Sequence, residues 1–274
     1  MRSRNIFAVV HKDLIEVRQN RYAWLPMIIV PLLFVVILPL IFTLIVPRLS
    51  IEVGDLSSQE DFELLLRAMP QDVRQNLLSL SPMQLMIEMI LGYYFAPMFL
   101  IMPLMFSTTI AAESFAGERE RKTIETLLYT PATDLELFLG KVLAAVIPAI
   151  TITWVSFILY AVVLNVVPYH LFKCIWFPLT SWWPLIFWVT PASVAFGIVI
   201  TVLISSKVHT FLGAYQTSSS VVLLVVLLFM GQVSGIIYLS VGLTFLIGLG
   251  IWLIAGLLGY HAVRTFNRQK LLIE

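Results

Sequence analysis

Charged residues are scarce in this chain. Of its 274 residues, 12% are charged and 59% are hydrophobic, whereas roughly a quarter of the residues in a soluble domain carry charge. This shortage excludes an ordinary soluble domain. We predict an all-α integral membrane protein in which helices pack on helices within lipid. The formal net charge of +1 gives no indication of a nucleic-acid partner.

The chain also lacks the residues that several kinds of chemistry need. A single cysteine, Cys174, excludes an internal disulfide, and no cysteine–histidine cluster offers a metal site. No Ser–His–Asp arrangement and no paired carboxylates indicate catalysis. The phosphate-binding pattern GxxxxGK[ST] is missing, since valine follows Gly140–Lys141. We therefore predict a protein that is not an enzyme, with no catalytic, cofactor-binding or metal residues.

Six long apolar runs predict six transmembrane helices in a single domain over residues 22–264. The predicted spans are residues 22–46, 83–111, 141–164, 185–204, 220–237 and 242–263. The first run is too long for the apolar part of a signal peptide, so we expect it to be retained as a span. We assign residues 205–219 to a short polar loop and residues 265–274 to a tail.

The segments before the first span and after the third carry interfacial signals. Residues 1–21 predict an amphipathic helix, with Val10 and Val17 on its apolar face and Lys12 opposite. Such a helix lies in the membrane interface, and a short soluble helix is the alternative. Residues 165–184 are rich in aromatics, and their tryptophans fit an interfacial belt; these are Trp176, Trp182 and Trp183.

Capping signals predict where two of the long helices begin. Ser81, Pro82 and Gln84 have the order of a cap, a first-turn proline and a capping-box glutamine. Thr133 and Glu136 repeat the capping-box spacing. The second and third long helices should therefore begin near residues 82 and 134, and residues 48–81 form an outer loop with short helices.

The distribution of basic residues predicts the topology. With both termini in the cytoplasm, 13 of the 17 Lys and Arg residues lie on the inner side. The opposite orientation would place most of the basic residues outside, which the positive-inside rule disfavours. We predict a multi-pass protein of a cell membrane with cytoplasmic termini.

The second span contains candidates for a substrate pathway. Glu88 lies about two turns into it, and a carboxylate in lipid indicates function unless it reaches the interface. Three methionines share a face of the same span, and such a stripe serves either a pathway for varied apolar substrates or plain packing; these are Met98, Met102 and Met105.

Residues 113–134 form a charged segment between the second and third spans. Six charges fall within eight residues, at Glu118, Arg119, Glu120, Arg121, Lys122 and Glu125. Such a segment must lie in water, and it suits contact with a soluble partner. The alternative is a solvated loop whose charges only orient the protein.

The same segment resembles the permease subunits of type-2 ABC transporters, most closely the sodium-efflux and drug-export permeases. The resemblance is carried by Gly117-Glu118-Arg119-Glu120, by Thr123-Ile124-Glu125-x-Leu127-Leu128-x-x-Pro131 and by Gly140-Lys141. It implies a coupling helix that docks on a separate ATP-binding subunit. The implied contact residues are Gly117, Glu118, Arg119, Glu120, Arg121, Thr123 and Glu125.

The resemblance also implies the assembly and the direction of transport. We expect an exporter with two permease chains, identical or paralogous, and two ATP-binding chains that carry ATP and magnesium, in a prokaryotic plasma or inner membrane. A non-transporting membrane anchor or sensor for a soluble ATPase remains an alternative, as does an ion-coupled carrier. Apolar spans favour a hydrophobic drug, lipid or peptide as substrate, and an ion stays open.

Overall fold

The computed structural model describes residues 3–45, 69–121, 133–208 and 210–265. Within these ranges the regular structure is helical, without strands. In chain order the helices are α1 (Ser3–Gln19), α2 (Arg21–Ile45), α3 (Gln71–Leu78), α4 (Pro82–Glu120), α5 (Asp134–Val166), α6 (Tyr169–Phe172), α7 (Trp182–Ser205), α8 (Phe211–Val233) and α9 (Val241–Thr265).

Six of these helices, α2, α4, α5, α7, α8 and α9, are long and apolar enough to cross a membrane. They confirm the predicted all-α fold with six spans. Successive spans run in opposite directions, so the bundle has two distinct ends. We call the end with α1, Glu118 and Lys141 the charged end, and the end with residues 167–181 and 234–240 the aromatic end.

Helix α4 lies at the centre of the bundle and packs against α2, α5, α7 and α8. In its most apolar stretch 67% of the residues are buried, against 17% in α2 and in α9. The faces of those two outer helices are therefore left for lipid or for another chain. Close crossing of α4 and α7 requires a glycine, because a Cβ atom at Gly197 would overlap Ser107 Oγ.

Both predicted capping boxes are confirmed. The Ser81 hydroxyl accepts from the backbone of Gln84 at the start of α4, and the Thr133 hydroxyl accepts from the backbone of Glu136 at the start of α5. In each box the side chain of the third helical residue accepts from the backbone amide of the cap residue. These reciprocal bonds satisfy amide groups that a helix start otherwise leaves without partners.

Helix α4 contains a wide π-helical turn over Glu88–Tyr94. Such turns disturb the regular backbone ladder and leave carbonyl groups to be satisfied by neighbours. Tyr160 Oη donates to the Leu91 carbonyl at 2.8 Å, and Trp182 Nε1 donates to the Gly92 carbonyl at 2.7 Å. The span accommodates the turn because neighbouring helices supply donors.

A third donor replaces a bond that proline removes. Pro97 has no amide hydrogen, so it cannot donate to the Tyr93 carbonyl one turn earlier. Gln232 Nε2, from α8, donates to that carbonyl at 2.8 Å instead. Gln232 is 1% exposed, so it joins α8 to α4 inside the bundle.

Two sequence interpretations are corrected. Trp182 is not part of an interfacial belt, since its side chain is fully buried among aromatic rings. There its indole nitrogen donates a hydrogen bond to the Gly92 carbonyl. The predicted loop over residues 205–219 is shorter, because α8 already begins at Phe211. Thr210 caps that helix by accepting from the Gly213 amide.

Candidate functional site at the charged end

Helix α1 is held closely against α5. Val9 and Val10 are buried, and a Cβ atom at Gly140 would overlap the Val9 side chain. Glycine therefore permits the close approach of the two helices. The opposite face of α1 exposes Phe7 and Ile15, and the placement of α1 in a membrane interface stays a prediction.

Glu118 is the centre of a buried ion-pair network. Its side chain is 1% exposed, and it forms ion pairs with Lys12 of α1 and Lys141 of α5. The Lys141 ammonium lies 2.5 Å from one carboxylate oxygen, while Lys12 binds the other. One residue at the end of α4 thus binds two further helices.

Asp13 and Ser114 extend this network. Asp13 of α1 is 1% exposed and accepts from the Ser114 hydroxyl at 2.5 Å. Lys141 donates to the Ser114 carbonyl and lies 3.8 Å from the Asp13 carboxylate. The lysine ammonium therefore has three oxygen partners at a position where it is almost fully buried.

Glu113 is the buried member of a second ion pair one turn earlier in α4. Its carboxylate is 1% exposed, binds Arg121 and accepts from Asn20 Nδ2 at 2.7 Å. Asn20 also caps α2 by accepting from the Tyr22 amide. A Cβ atom at Gly117 would lie 3.0 Å from Arg121 Nη2, so the glycine leaves room for this pair.

The buried acids of the network are matched by an equal number of bases. Three buried acids, Asp13, Glu113 and Glu118, face three bases, Lys12, Arg121 and Lys141. Glu16, at the edge, adds a fourth carboxylate that pairs with Lys12. Buried charges are tolerated when they are paired and hydrogen-bonded, and the loss of one partner leaves an uncompensated charge. The network therefore specifies one arrangement of α1, α4 and α5.

Lys12 occupies the position that a cation would take among three carboxylates. Oxygen atoms of Asp13, Glu16 and Glu118 lie within 4.8 Å of one another, a spacing that suits a metal ion. The Lys12 ammonium lies 3.5 Å from Asp13 and 3.2 Å from Glu16, and it binds Glu118. Burial lowers the pKa of Lys12, but the three carboxylates, Glu118 foremost, outweigh burial and hold it above the ordinary value.

Arg119 and Glu120 join α4 to the connection between α7 and α8. Arg119 Nη1 donates to the Ser205 carbonyl at 3.0 Å, at the end of α7. Glu120 Oε2 accepts from the Phe211 amide at 2.8 Å, at the start of α8. The positive Arg119 lies at the negative end of the α7 dipole, and the negative Glu120 lies at the positive end of the α8 dipole.

The structure brings together five of the predicted contact residues, Gly117 to Arg121. Glu118 is buried, whereas Glu120 and Arg121 are exposed and still bind other parts of the chain through their charged groups. They continue α4 rather than form a separate helix. Thr123 and Glu125 lie outside the described residues. The interface role of all seven residues stays a prediction.

The predicted pathway residues lie elsewhere. Glu88 lines a cavity at the aromatic end. Met102 is fully buried in the main core, and Met105 packs against that core. Met98 is partly buried. A pathway role for the methionines stays a prediction, and their placement matches the packing alternative.

Sequence reasoning missed Lys12, Asp13 and Glu113 as members of the network. Asp13 interrupts the buried face of α1, and a single acid among apolar positions was the available signal. Glu113 lies just beyond the predicted second span, where the sequence gives no sign that the helix continues. No local pattern links Lys12 and Asp13 with Glu113, which lies a hundred positions further along the chain.

A protein-family model for the membrane protein of ABC-2 transporters, described as "ABC-2 family transporter protein", matches residues 7–271. The match runs from α1 through all six spans. The chain belongs to the ABC-2 transporter family. An ABC-2 permease is a non-catalytic transport subunit, and such permeases generally pair with ATP-binding subunits. Comparison of this ABC-2 protein with curated proteins and with solved structures returned no match.

Proposed function

We propose that this ABC-2 permease is the membrane subunit of an ATP-driven exporter whose charged end faces the cytoplasm. The positive-inside bias supports this orientation, since most of the basic residues lie in segments at that end. ATP and magnesium would be bound by a separate subunit. The proposed direction of transport, and the likeness to sodium-efflux and drug-export permeases, rest on the motif around Glu118.

The observation that carries the proposal is that three consecutive charged residues connect four helices to the end of α4. Glu118 binds α1 and α5, Arg119 binds the end of α7, and Glu120 binds the start of α8. These contacts come immediately before residues 122–132, the next part of the proposed coupling segment. A force applied to that segment would reach five helices through charged contacts.

We assign different tasks to the two parts of the segment. Thr123 and Glu125 would contact the ATP-binding subunit, where charged contacts give specificity and re-form through a cycle. Glu118, Arg119 and Glu120 would transmit the movement into the bundle. Because α4 is the most buried span, its displacement would change the packing of α2, α5, α7 and α8 together.

The exposed helices support an assembly with a second permease chain. Apolar side chains on α2 and α9 are largely exposed. In a complete transporter these faces would contact lipid or the second permease, which is either identical or paralogous.

A pair of variants tests the division of tasks. The tagged chain is purified from its native membrane in mild detergent, and both the copurified ATP-binding subunit and its ATPase activity are measured. We expect Glu125→Arg to lose the partner. We expect Glu118→Gln to keep the partner but to lose stimulation of ATP hydrolysis by at least severalfold. Glu16→Gln, at the edge of the same network, is the matched control.

The outcomes separate the hypotheses. If the wild-type chain brings down no nucleotide-binding subunit under conditions that preserve other ABC complexes, the proposed assembly is wrong. If both variants elute and melt as folded chains and lose the partner equally, Glu118 has no separate role in transmission. A bound ATPase with no movement of any substrate would instead favour the membrane anchor or sensor.

A further inference from the structure

A cavity of about 440 Å³ opens at the aromatic end of the bundle. Its wall is formed by α3, the start of α4, the loop before α7 and the connection between α8 and α9. This volume lies within the roughly 300–1,000 Å³ range of small-molecule sites. The cavity is at the far end of the molecule from the ion-pair network, so the proposed ATPase contacts do not use it.

Glu88 supplies the charge of this cavity. It begins the π-helical turn of α4, roughly 9 Å along the helix from its start at Pro82. Among the described residues it has no hydrogen bond or ion pair, and no basic residue of the described chain lines the cavity. A carboxylate in such a place favours an opposite charge that arrives from outside.

Two tyrosines provide an aromatic wall beside this carboxylate. The rings of Tyr93 and Tyr238 lie 6.1 Å apart between centroids, and both residues line the cavity. Burial raises the pKa of Tyr238, more than its hydrogen bond to Tyr93 lowers it, so the phenol is neutral at physiological pH. Neutral phenol rings attract cations over their faces.

The remaining wall combines apolar and uncharged polar side chains, including Val73, Asn76 and Thr180. A bare metal ion needs several charged or carbonyl oxygens at fixed distances, and the described wall offers a single carboxylate. An organic cation needs one counter-ion, aromatic faces and apolar surface. The wall matches the organic cation.

We propose that this cavity binds an organic monocation, with its charged nitrogen at Glu88 beside the Tyr93 and Tyr238 rings and its apolar part against the apolar side chains of the wall. Binding itself is independent of the ATP-binding subunit. That the bound cation is also the exported substrate rests on the proposed function.

Binding is tested on the purified full-length chain in lipid nanodiscs, without an ATPase. The probes are two dansyl derivatives of equal size, one ending in trimethylammonium and the other in a neutral tert-butyl group. Fluorescence titration gives their dissociation constants, and empty nanodiscs correct for partition into lipid. We expect the wild-type chain to bind the cationic probe at least tenfold more tightly than the neutral probe.

Two variants of the cavity and one control complete the design. Glu88→Gln keeps the shape and should remove the preference for the cation. Gly242→Phe should weaken both probes, because a Cβ atom at Gly242 meets nothing within 4 Å and the ring can enter the cavity. Glu16→Gln removes one negative charge at the opposite end and should leave both constants unchanged. Elution and melting temperature establish that each variant is folded.

Equal affinity of the two probes for the wild-type chain would overturn the proposal. So would a cation preference that survives Glu88→Gln, or binding that Gly242→Phe does not weaken. A chain that shows the expected binding but recruits no ATPase would refute the proposed function and leave the cavity site intact.

Discussion

Replacement of Glu118 by glutamine is expected to be strongly destabilising, because it leaves two lysines without their shared carboxylate. The side chain of Glu118 is 1% exposed and that of Lys141 is 5% exposed. Loss of one partner of a buried ion pair costs about 3–5 kcal/mol. Lys141 keeps two weaker oxygen partners in Asp13 and Ser114, so we expect the lower part of this range.

A second variant, Lys141→Met, removes the other partner of the Glu118–Lys141 ion pair. Glu118 keeps Lys12 as a partner in this variant, so the free energy of unfolding should fall by less. The double variant removes both buried charges, and its loss should be smaller than the sum of the single losses by about 1–3 kcal/mol. That difference measures the interaction between Glu118 and Lys141.

Reversible unfolding of the purified chain in mixed micelles with increasing SDS measures these free energies. Glu16→Gln is the control, since Glu16 is 23% exposed and pairs with Lys12 at the edge of the network; an exposed pair contributes about 1 kcal/mol or less. The reasoning would be refuted if Glu118→Gln destabilised the chain no more than Glu16→Gln, or if the two single losses were additive.

Three further predictions concern other contacts. Gln232→Leu should lower the free energy of unfolding by about 0.5–1.5 kcal/mol, because it removes the side-chain hydrogen bond to the Tyr93 carbonyl; unfolding in SDS unchanged from wild type would contradict this. Gly140→Val should separate α1 from α5 and make α1 more accessible to limited proteolysis, whereas an unaltered cleavage rate would show that the close approach is not needed. The pKa of Lys12 is raised above its ordinary value of 10.5 in the folded chain, so its charge stabilises the folded chain fully at pH values below 10.5. This contribution is lost as pH rises through the higher folded-state pKa. The difference in melting temperature between wild type and Lys12→Met should therefore be constant from pH 7 to about 10 and shrink only in stronger alkali; a decrease near neutral pH would contradict it.

The spans and the helix starts were predictable because they depend on local sequence. Apolar runs of about 20 residues specify a membrane helix wherever they occur. The capping boxes at Ser81 and Thr133 each use residues three positions apart, so their bonds follow from spacing alone. The start of α8 was predicted too late although Thr210 provides a local cap. The further contact there, from Glu120 to the Phe211 amide, joins residues 91 positions apart and could not be predicted from spacing.

The burial of Glu118 in the charged segment could not be predicted in the same way. Six charges in eight residues predict a segment exposed to water, and the spacing of the residues does not indicate that Glu118 is buried. Its burial requires Lys12 and Lys141 to reach it from two other helices, which depends on how α1 and α5 pack. Trp182 presents the same difficulty. A tryptophan near the end of a span is typical of the membrane interface, and only the packing of α7 on α4 shows that its indole nitrogen donates to the buried Gly92 carbonyl.

The two π-helical turns of α4 suggest why its polar residues occur where they do. Each turn begins at a glutamate, Glu88 at the aromatic end and Glu113 at the charged end. At the charged end the carboxylate already has partners, Arg121 and Asn20, and it holds the helix in a fixed arrangement. At the aromatic end the carboxylate faces a cavity instead. The same local irregularity thus supports a filled ionic site at one end of the span and a site that accepts a ligand at the other. Since both sites belong to one buried helix, movement of α4 driven at the charged end would alter the walls around Glu88.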